Sequence, residues 1–115
     1  MTSARFGLKE ETIQKICAIF AKYPQVEKAV LYGSRAKGNY KNGSDIDLVL
    51  FGESNLTTDT LCKIMNDIDD LLLPYTFDIS VYHHIGNPDL IEHIERVGLI
   101  FYDVEHPEKR NGHQG

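Results

Sequence analysis

The chain has 115 residues, of which 42% are hydrophobic and 25% charged, and its formal net charge is −5 at pH 7. This length and composition predict one globular domain with a single core. The acidic balance argues against a broad nucleic-acid-binding surface, which normally carries an excess of basic residues. No apolar segment approaches the length of a membrane span, so we expect a cytoplasmic protein that does not enter a membrane.

The first part of the chain alternates between helical and extended patterns. A helix is predicted from Lys9 to Tyr23, because apolar residues recur there at helical spacing and Pro24 would end it. A strand is predicted from Glu27 to Tyr32. A short turn or helix through Ala36 to Lys41 would link this strand to the next one.

A loop suited to phosphate follows the first strand. Gly33 and its small neighbour Ser34 interrupt the strand where a turn must begin. Successive backbone N–H groups in such a turn form a concavity for anionic oxygens, and the Ser34 hydroxyl can add a donor. Arg35, Lys37 and Lys41 place three cations in the same loop. The loop therefore suits a triphosphate.

Two carboxylates begin the second strand, which is predicted from Asp45 to Phe51 with Ser44 before it. Side chains alternate along a strand, so Asp45 and Asp47 point the same way, with Cα atoms roughly 6.5–7 Å apart. At that distance they repel by roughly 2 kcal/mol at an effective dielectric constant of 20. A divalent cation would remove this repulsion, and hard oxygen ligands favour magnesium or manganese over zinc.

A third carboxylate lies in a later strand. A helix predicted from Thr58 to Leu73 precedes it, with its apolar residues on one face, and Asp78 stands near the start of a strand from Phe77 to Tyr82. If this strand pairs with the second one, the three carboxylates converge. The third could then accept the proton of an attacking hydroxyl, which is typically worth about 10²- to 10⁴-fold in rate.

The remaining patterns complete an α/β arrangement. Asn87 and Pro88 predict a helix start, and Gly98 a helix end, before a last strand from Leu99 to Tyr102. Residues 103–115 are polar and lack periodicity, which predicts a frayed tail after a single domain of residues 1–102. Alternating helices and strands indicate a small mixed sheet packed with helices.

The cysteines and histidines do not predict a metal site. Cys17 and Cys62 lack metal-type spacing and lie in helical patterns, which predicts buried thiols in a reducing compartment. His83 and His84 are adjacent at a strand end, so their side chains diverge.

The sequence does not match the P-loop, a different phosphate-binding motif, because one dipeptide differs. Gly33 and Gly38 have the glycine spacing of a P-loop. Asn39-Tyr40, however, stands where a P-loop requires Lys-Ser or Lys-Thr. The chain is therefore not predicted to be a P-loop nucleotide hydrolase.

The spacing of the glycine, serine and aspartate residues carries a family resemblance. A Gly33-Ser34 pair, ten further residues, Asp45-x-Asp47 and then Asp78 in an apolar strand resemble the nucleotidyltransferase domain of the DNA polymerase β superfamily. The short length resembles the minimal nucleotidyltransferase branch of that superfamily. The likeness covers most of the chain, and it implies a nucleotidyltransferase fold.

The resemblance also implies roles for individual residues. Gly33 and Ser34 would bind the terminal phosphates of a nucleoside triphosphate, with ATP as the expected donor. Asp45 and Asp47 would bind two magnesium ions, with manganese as an alternative. Asp78 would be the third metal ligand and would activate the acceptor. Further phosphate contacts are assigned to three side chains of the same loop: Arg35, Lys37 and Ser44.

The acceptor is also suggested by resemblance. Minimal members of this family are often paired with a HEPN-domain protein, a helical RNase-like toxin, and some neutralise it by adding AMP to a tyrosine. We therefore expect an antitoxin that forms a hetero-oligomer with such a partner and adenylylates it. Two alternatives stay open: a catalytically silent module that neutralises its partner by contact, and a transferase for a small molecule, which would require a dimer to build the pocket.

Overall fold

The computed structural model describes residues 4–41 and 43–104, and within these ranges six strands and four α-helices follow one another. The strands are β1 (Ala4–Arg5), β2 (Leu8–Lys9), β3 (Lys28–Tyr32), β4 (Ile46–Phe51), β5 (Phe77–Val81) and β6 (Leu99–Asp103). The helices are α1 (Glu10–Ala21), α2 (Ser34–Lys37), α3 (Thr58–Asp69) and α4 (Pro88–Val97), with a 3-10 turn at Tyr82–His84. None of these helices is long and apolar enough to span a membrane.

The main sheet has four strands in the order β5-β4-β3-β6. β3 runs antiparallel to both β4 and β6, whereas β4 and β5 are parallel. A parallel pair needs a crossover connection, and α3 supplies it. β1 and β2 form a separate two-stranded ribbon before α1, which the sequence patterns did not predict. The predicted α/β fold with a small mixed sheet is confirmed.

The two faces of the sheet differ in what covers them. On one face, Ile46, Leu48 and Leu50 of β4 are buried in the main core with the apolar residues of α1 and α3. On the other face, Val49 packs with Ile94 of α4 in a smaller cluster. Alternation along β4 therefore places its polar residue Asp47 on the α4 face.

The third helix ends earlier than predicted. Its start agrees with the sequence, since the Thr57 hydroxyl accepts a hydrogen bond from the Thr60 N–H at 3.3 Å. It ends at Asp69, however, and Leu72 has φ +56° with 88% of its surface exposed. The prediction that the helix reaches Leu73 is wrong because the chain turns back toward β5 before Pro74.

Three smaller differences concern helix α2, the thiols and the tail. α2 occupies Ser34–Lys37 rather than Ala36–Lys41. Cys62 is exposed, so its predicted burial is wrong, whereas that of Cys17 is confirmed. Strand β6 extends to Asp103, and most of the predicted tail, residues 105–115, lies outside the described residues.

Candidate active site

The three predicted carboxylates lie at one end of two neighbouring strands. Asp47 of β4 and Asp78 of β5 are register partners in the parallel pair, so their side chains leave the sheet on the same face. Asp45 lies just before β4, close enough for its charge to act on Asp47. Asp47 is half-buried, whereas Asp45 and Asp78 are exposed. The strand pairing on which the convergence depended is therefore present.

Asp47 lies in an environment that opposes its negative charge. Burial raises the pKa of its carboxyl above the ordinary value, and the charges of Asp78 and Asp45 raise the pKa further. The nearby His93 of α4 acts in the opposite direction on the same pKa. A bound cation would relieve both the repulsion and part of the desolvation cost, so this end of the sheet favours positive ligands.

Gly33 allows the phosphate loop to approach this carboxylate. Its φ is +76°, in the left-handed region that favours glycine, and it immediately precedes α2. A Cβ atom at this position would collide with Oδ2 of Asp47. The loop that begins at Gly33 is consequently in contact with the central carboxylate of the site.

Helix α2 makes this loop a tight one. The Lys37 N–H donates to the Gly33 carbonyl at 3.1 Å, and the Gly38 N–H donates to the Ser34 carbonyl at 2.9 Å. The first N–H groups of a helix lack intrahelical partners, which makes them donors for an anion. Ser34 is half-buried at the start of this helix, whereas Lys37 at its end is exposed.

Arg35 is buried beneath the loop, with 4% of its surface exposed. Its Nε and Nη2 atoms donate to the Ser44 carbonyl at 3.2 and 2.9 Å, and Nη1 donates to the Phe6 carbonyl at 2.8 Å. Its guanidinium carbon lies 5.4 Å from the ring centroid of Tyr40 and 5.2 Å from that of Tyr75. Arg35 thus ties the residue before Asp45 to the N-terminal segment. Its predicted phosphate contact stays a prediction, and it would require the guanidinium to leave these carbonyls.

Replacing Arg35 by methionine should destabilise the fold. The carbonyls of Ser44 and Phe6 would lose these donors, and each buried carbonyl left unsatisfied costs about 1–3 kcal/mol. We expect the free energy of unfolding in urea to fall by about 2–4 kcal/mol. The control is Lys37→Met on the exposed end of the same helix, which should change it by less than about 0.5 kcal/mol. Equal losses in the two variants would contradict this role for Arg35.

Ser44 closes the other end of the loop. Its hydroxyl accepts a hydrogen bond from the Lys41 N–H at 2.8 Å, and its own N–H donates to the Lys41 carbonyl at 3.0 Å. These contacts set the turn from which Asp45 enters the site. The predicted contact of Ser44 with phosphate stays a prediction.

Two further residues at this site were missed by the sequence analysis. Tyr32 of β3 pairs with Asp47 in the antiparallel register. Burial and the charges of Asp78 and Asp47 raise the pKa of Tyr32 to about 12, partly offset by a hydrogen bond with Ser80. The His93 ring meets the Tyr32 ring edge to face, with centroids 6.1 Å apart. The position of Tyr32 directly before Gly33 could have indicated that Tyr32 lies at the site. The position of His93 could not be predicted, because it depends on the packing of α4.

The donor set fits a hard divalent cation that is shared with a substrate. All three side chains offer carboxylate oxygens, and Asp47 is held where a cation is favoured. Among the described residues, no three side chains of the histidine, cysteine, aspartate or glutamate types form a group that could hold a metal ion on their own. Magnesium commonly binds one or two carboxylates and completes its shell with water and substrate phosphates.

Solved structures of known proteins share this fold. The chain resembles the antitoxin in a toxin–antitoxin crystal structure with AMP-PNP, at 17% identity and a TM-score of 0.64, over 89% of this chain and 79% of that one. It also resembles the MNT antitoxin in complex with the tri-AMPylated HEPN toxin of Shewanella oneidensis, at 14% identity and a TM-score of 0.62, over 89% and 78% of the two chains. A third similar structure is the MntA–HepT toxin–antitoxin complex, at 14% identity and a TM-score of 0.62, with 89% and 79% covered.

Comparison with known sequences gives the family. No curated protein matches the chain significantly. A sequence model of the family described as "Polymerase beta, Nucleotidyltransferase" matches residues 14–106, which include the glycine loop and all three carboxylates. The chain therefore belongs to the polymerase β nucleotidyltransferase family.

Proposed function

We propose that the chain transfers AMP from ATP to a tyrosine hydroxyl of a HEPN-type toxin and thereby acts as its antitoxin. The pairing of Asp47 with Asp78, with Gly33 against Asp47, is the observation that carries this proposal. It is supported by the similar antitoxin structures, one with AMP-PNP and one with a tri-AMPylated HEPN toxin. Because the donor is ATP, we expect the reaction in the cytoplasm.

Each role in the proposed AMP transfer is assigned to particular residues of the chain. The loop at Gly33 and Ser34 binds the β- and γ-phosphates, and Asp45 and Asp47 would hold two magnesium ions. When bound, such ions neutralise charge on the attacking and leaving oxygens. Asp78 accepts the proton of the acceptor hydroxyl. The hydroxyl oxygen then forms a bond to the α-phosphorus, the bond from that phosphorus to the bridging oxygen breaks, and pyrophosphate leaves.

The direct test uses the chain together with a HEPN-domain protein, ATP and magnesium. Intact mass spectrometry should show one or more AMP increments on the HEPN protein, and peptide mapping should place them on tyrosine. Omitting magnesium or replacing Asp78 by asparagine should reduce the rate by at least about 100-fold. A HEPN protein that stays unmodified under all of these conditions would contradict the proposal.

Contact alone could also neutralise a toxin, and a cellular experiment separates the two possibilities. Toxin activity is measured in cells that co-express the wild-type chain or its Asp78→Asn variant at equal levels. If transfer is required, only the wild-type chain should restore growth. Full protection by the variant would instead favour the silent binding module, and modification of a small hydroxyl compound in place of the protein would favour the small-molecule transferase.

A further inference from the structure

Helix α4 places His93 on the face of the sheet that carries the active site. The helix packs on this face through Ile94, which is 2% exposed and lies in one cluster with Val30 and Val49. The end of the helix is held close to β3, because a Cβ atom at Gly98 would meet the Val30 side chain. The partly exposed His93 side chain is therefore carried by a helix that the core holds in position.

The His93 ring lies at the end of the sheet that carries the carboxylates. It meets the ring of Tyr32 edge to face, with centroids 6.1 Å apart, and Tyr32 is both the register partner of Asp47 and the residue before Gly33. Burial and the neighbouring carboxylates raise the pKa of Asp47, and His93 acts on this pKa in the opposite direction. An opposite charge has this effect from within about 4–6 Å. The ring contact and the charge effect together place the imidazole beside Asp47, close to the start of the phosphate loop.

The polar atoms of the His93 ring are not used within the part of the chain that the structure describes. The ring packs on Tyr32, and it forms neither a hydrogen bond nor an ion pair with another described residue. An imidazole carries at least one N–H donor in either protonation state. A donor beside the carboxylates is thus available for a bound anion.

The phosphate loop itself offers few side-chain donors. Arg35, to which the sequence analysis assigned a phosphate contact, is 4% exposed and donates to backbone carbonyls beneath the loop. Lys37 lies at the exposed end of α2. The start of the loop provides backbone N–H groups and the Ser34 hydroxyl. His93 adds a side-chain donor to a site whose predicted arginine is already engaged elsewhere.

We propose that His93 is a further substrate-binding residue, in which a ring N–H donates a hydrogen bond to a phosphate oxygen of the bound nucleoside triphosphate. This contact orients the triphosphate from the α4 side of the site, while the loop at Gly33 and Ser34 binds it from the connection between β3 and β4. The inference rests on the proposed function in one respect, that the chain binds ATP, and it does not depend on the acceptor.

Two substitutions separate hydrogen-bond donation from packing. His93→Phe keeps an aromatic ring against Tyr32 but has no N–H group, whereas His93→Gln keeps an amide donor but has no ring. Isothermal titration with ATP and magnesium should show at least about tenfold weaker binding by His93→Phe, because a hydrogen bond to a charged group is lost. His93→Gln should bind ATP within a few-fold of the wild-type chain. Tm should stay close to the wild-type value in His93→Phe and fall in His93→Gln.

A packing role for His93 would give the reverse pattern. ATP affinity would then be kept in His93→Phe and lost in His93→Gln, and this result would overturn the inference. If His93→Phe does not fold, His93→Gln decides alone. A loss of ATP affinity of about tenfold or more in His93→Gln would overturn the inference, and a nearly unchanged affinity with a lowered Tm would support it.

Inorganic triphosphate with magnesium tests which part of the nucleotide His93 contacts. This probe lacks the nucleoside, so its affinity should fall in His93→Phe by the same factor as that of ATP. Equal binding of inorganic triphosphate by His93→Phe and the wild-type chain would place the contact on the nucleoside and overturn the assignment to phosphate.

The matched control is His84→Phe, in the 3-10 turn that follows β5. His84 is exposed and lies beyond the end of β5 opposite to Asp78, so the same chemical change is made away from the site. His84→Phe should bind ATP as the wild-type chain does. An equal loss of ATP affinity in His84→Phe and His93→Phe would contradict a specific contact from His93.

The binding measurements distinguish this inference from the proposed function. AMP transfer to the HEPN protein, together with unchanged ATP affinity in His93→Phe, would overturn the inference and leave the proposed function in place. Weakened ATP binding by His93→Phe, in a chain that transfers no AMP to the HEPN protein, would support the inference and contradict the proposed function. A wild-type chain that does not bind ATP would overturn both.

Discussion

Asp47→Asn should reduce AMP transfer by at least about 100-fold while making the protein more stable at pH 7 without magnesium. The loss of activity follows from the central position of Asp47, between Tyr32 of β3 and Asp78 of β5 and in contact with the Gly33 loop. The gain in stability follows from the pKa of Asp47, which the fold raises through burial and the neighbouring carboxylates. A raised pKa means that ionisation of Asp47 costs folding free energy at neutral pH, and asparagine removes that cost.

The raised pKa of Asp47 also predicts how the stability of the protein depends on pH. Since the folded-state pKa of Asp47 is raised, its contribution should stabilise the protein as the pH falls from neutral through that pKa, and the Asp47→Asn variant should lack this contribution. Thermal denaturation in EDTA across this pH range measures the difference. An Asp47→Asn variant that is less stable than the wild type at pH 7 would contradict the electrostatic description of the site.

Asp67→Asn provides the matched control. Asp67 accepts a hydrogen bond from the Tyr23 hydroxyl at 2.6 Å and pairs with Lys22 at 3.2 Å, so it links α3 to the end of α1. The hydrogen bond from Tyr23 lowers the pKa of Asp67, and Lys22 lowers it further. Its charge therefore stabilises the fold above the ordinary carboxyl pKa. We expect Asp67→Asn to lose stability and keep AMP transfer, the opposite of Asp47→Asn on both measurements.

Gly33→Ala should nearly abolish transfer through a single added methyl group. The new Cβ would meet the Asp47 carboxylate, and the residue would also have to keep a φ of +76°. Either the carboxylate or the phosphate loop must move, and a displacement of about 1 Å at reacting groups can cost about 100-fold in rate. The backbone strain should lower the free energy of unfolding by about 1–3 kcal/mol. Steady-state kinetics with ATP and the HEPN protein, together with urea denaturation, measure the two effects.

Gly38→Ala is the control that has the backbone strain of Gly33→Ala but not the contact between the new Cβ and Asp47. Gly38 has a similar φ of +88°, but a Cβ there would meet no atom within 4 Å. This variant should show a comparable loss of stability and transfer AMP within a few-fold of the wild-type rate. If both variants lose transfer equally, the close approach of Gly33 to Asp47 is not what the reaction depends on.

Much of the sheet could be predicted from the sequence because alternation and turn residues are local signals. The period of two in residues 45–51 placed Asp45 and Asp47 on one face, and β5 does pair beside β4 as the three-carboxylate arrangement required. Proline and glycine located the ends of most elements to within a few residues. The β1–β2 ribbon was missed because two-residue strands are too short to show a period.

The rest depended on contacts between distant segments. Arg35 looked like a free loop cation, but its partners are carbonyls of Phe6 and Ser44 that only the folded chain brings to it. His93 lies near Asp47 because α4 packs on this face of the sheet, and no spacing in the sequence relates the two residues. Leu72 continued the apolar period of α3 and was assigned to it, because periodicity does not reveal where the chain must turn toward a parallel strand.

The topology of the sheet also orders the assembly of the site during folding. β3 and β4 are antiparallel neighbours joined by residues 33–45, so the glycine loop and Asp47 belong to one local hairpin. Hairpins form in about 1–10 μs, whereas contacts between segments distant in sequence form later. Asp78 can join the site only after α3 has folded and β5 has paired with β4. We therefore expect the loop and its first two acids to form as an early unit, with the third acid added once the core can hold the three charges together.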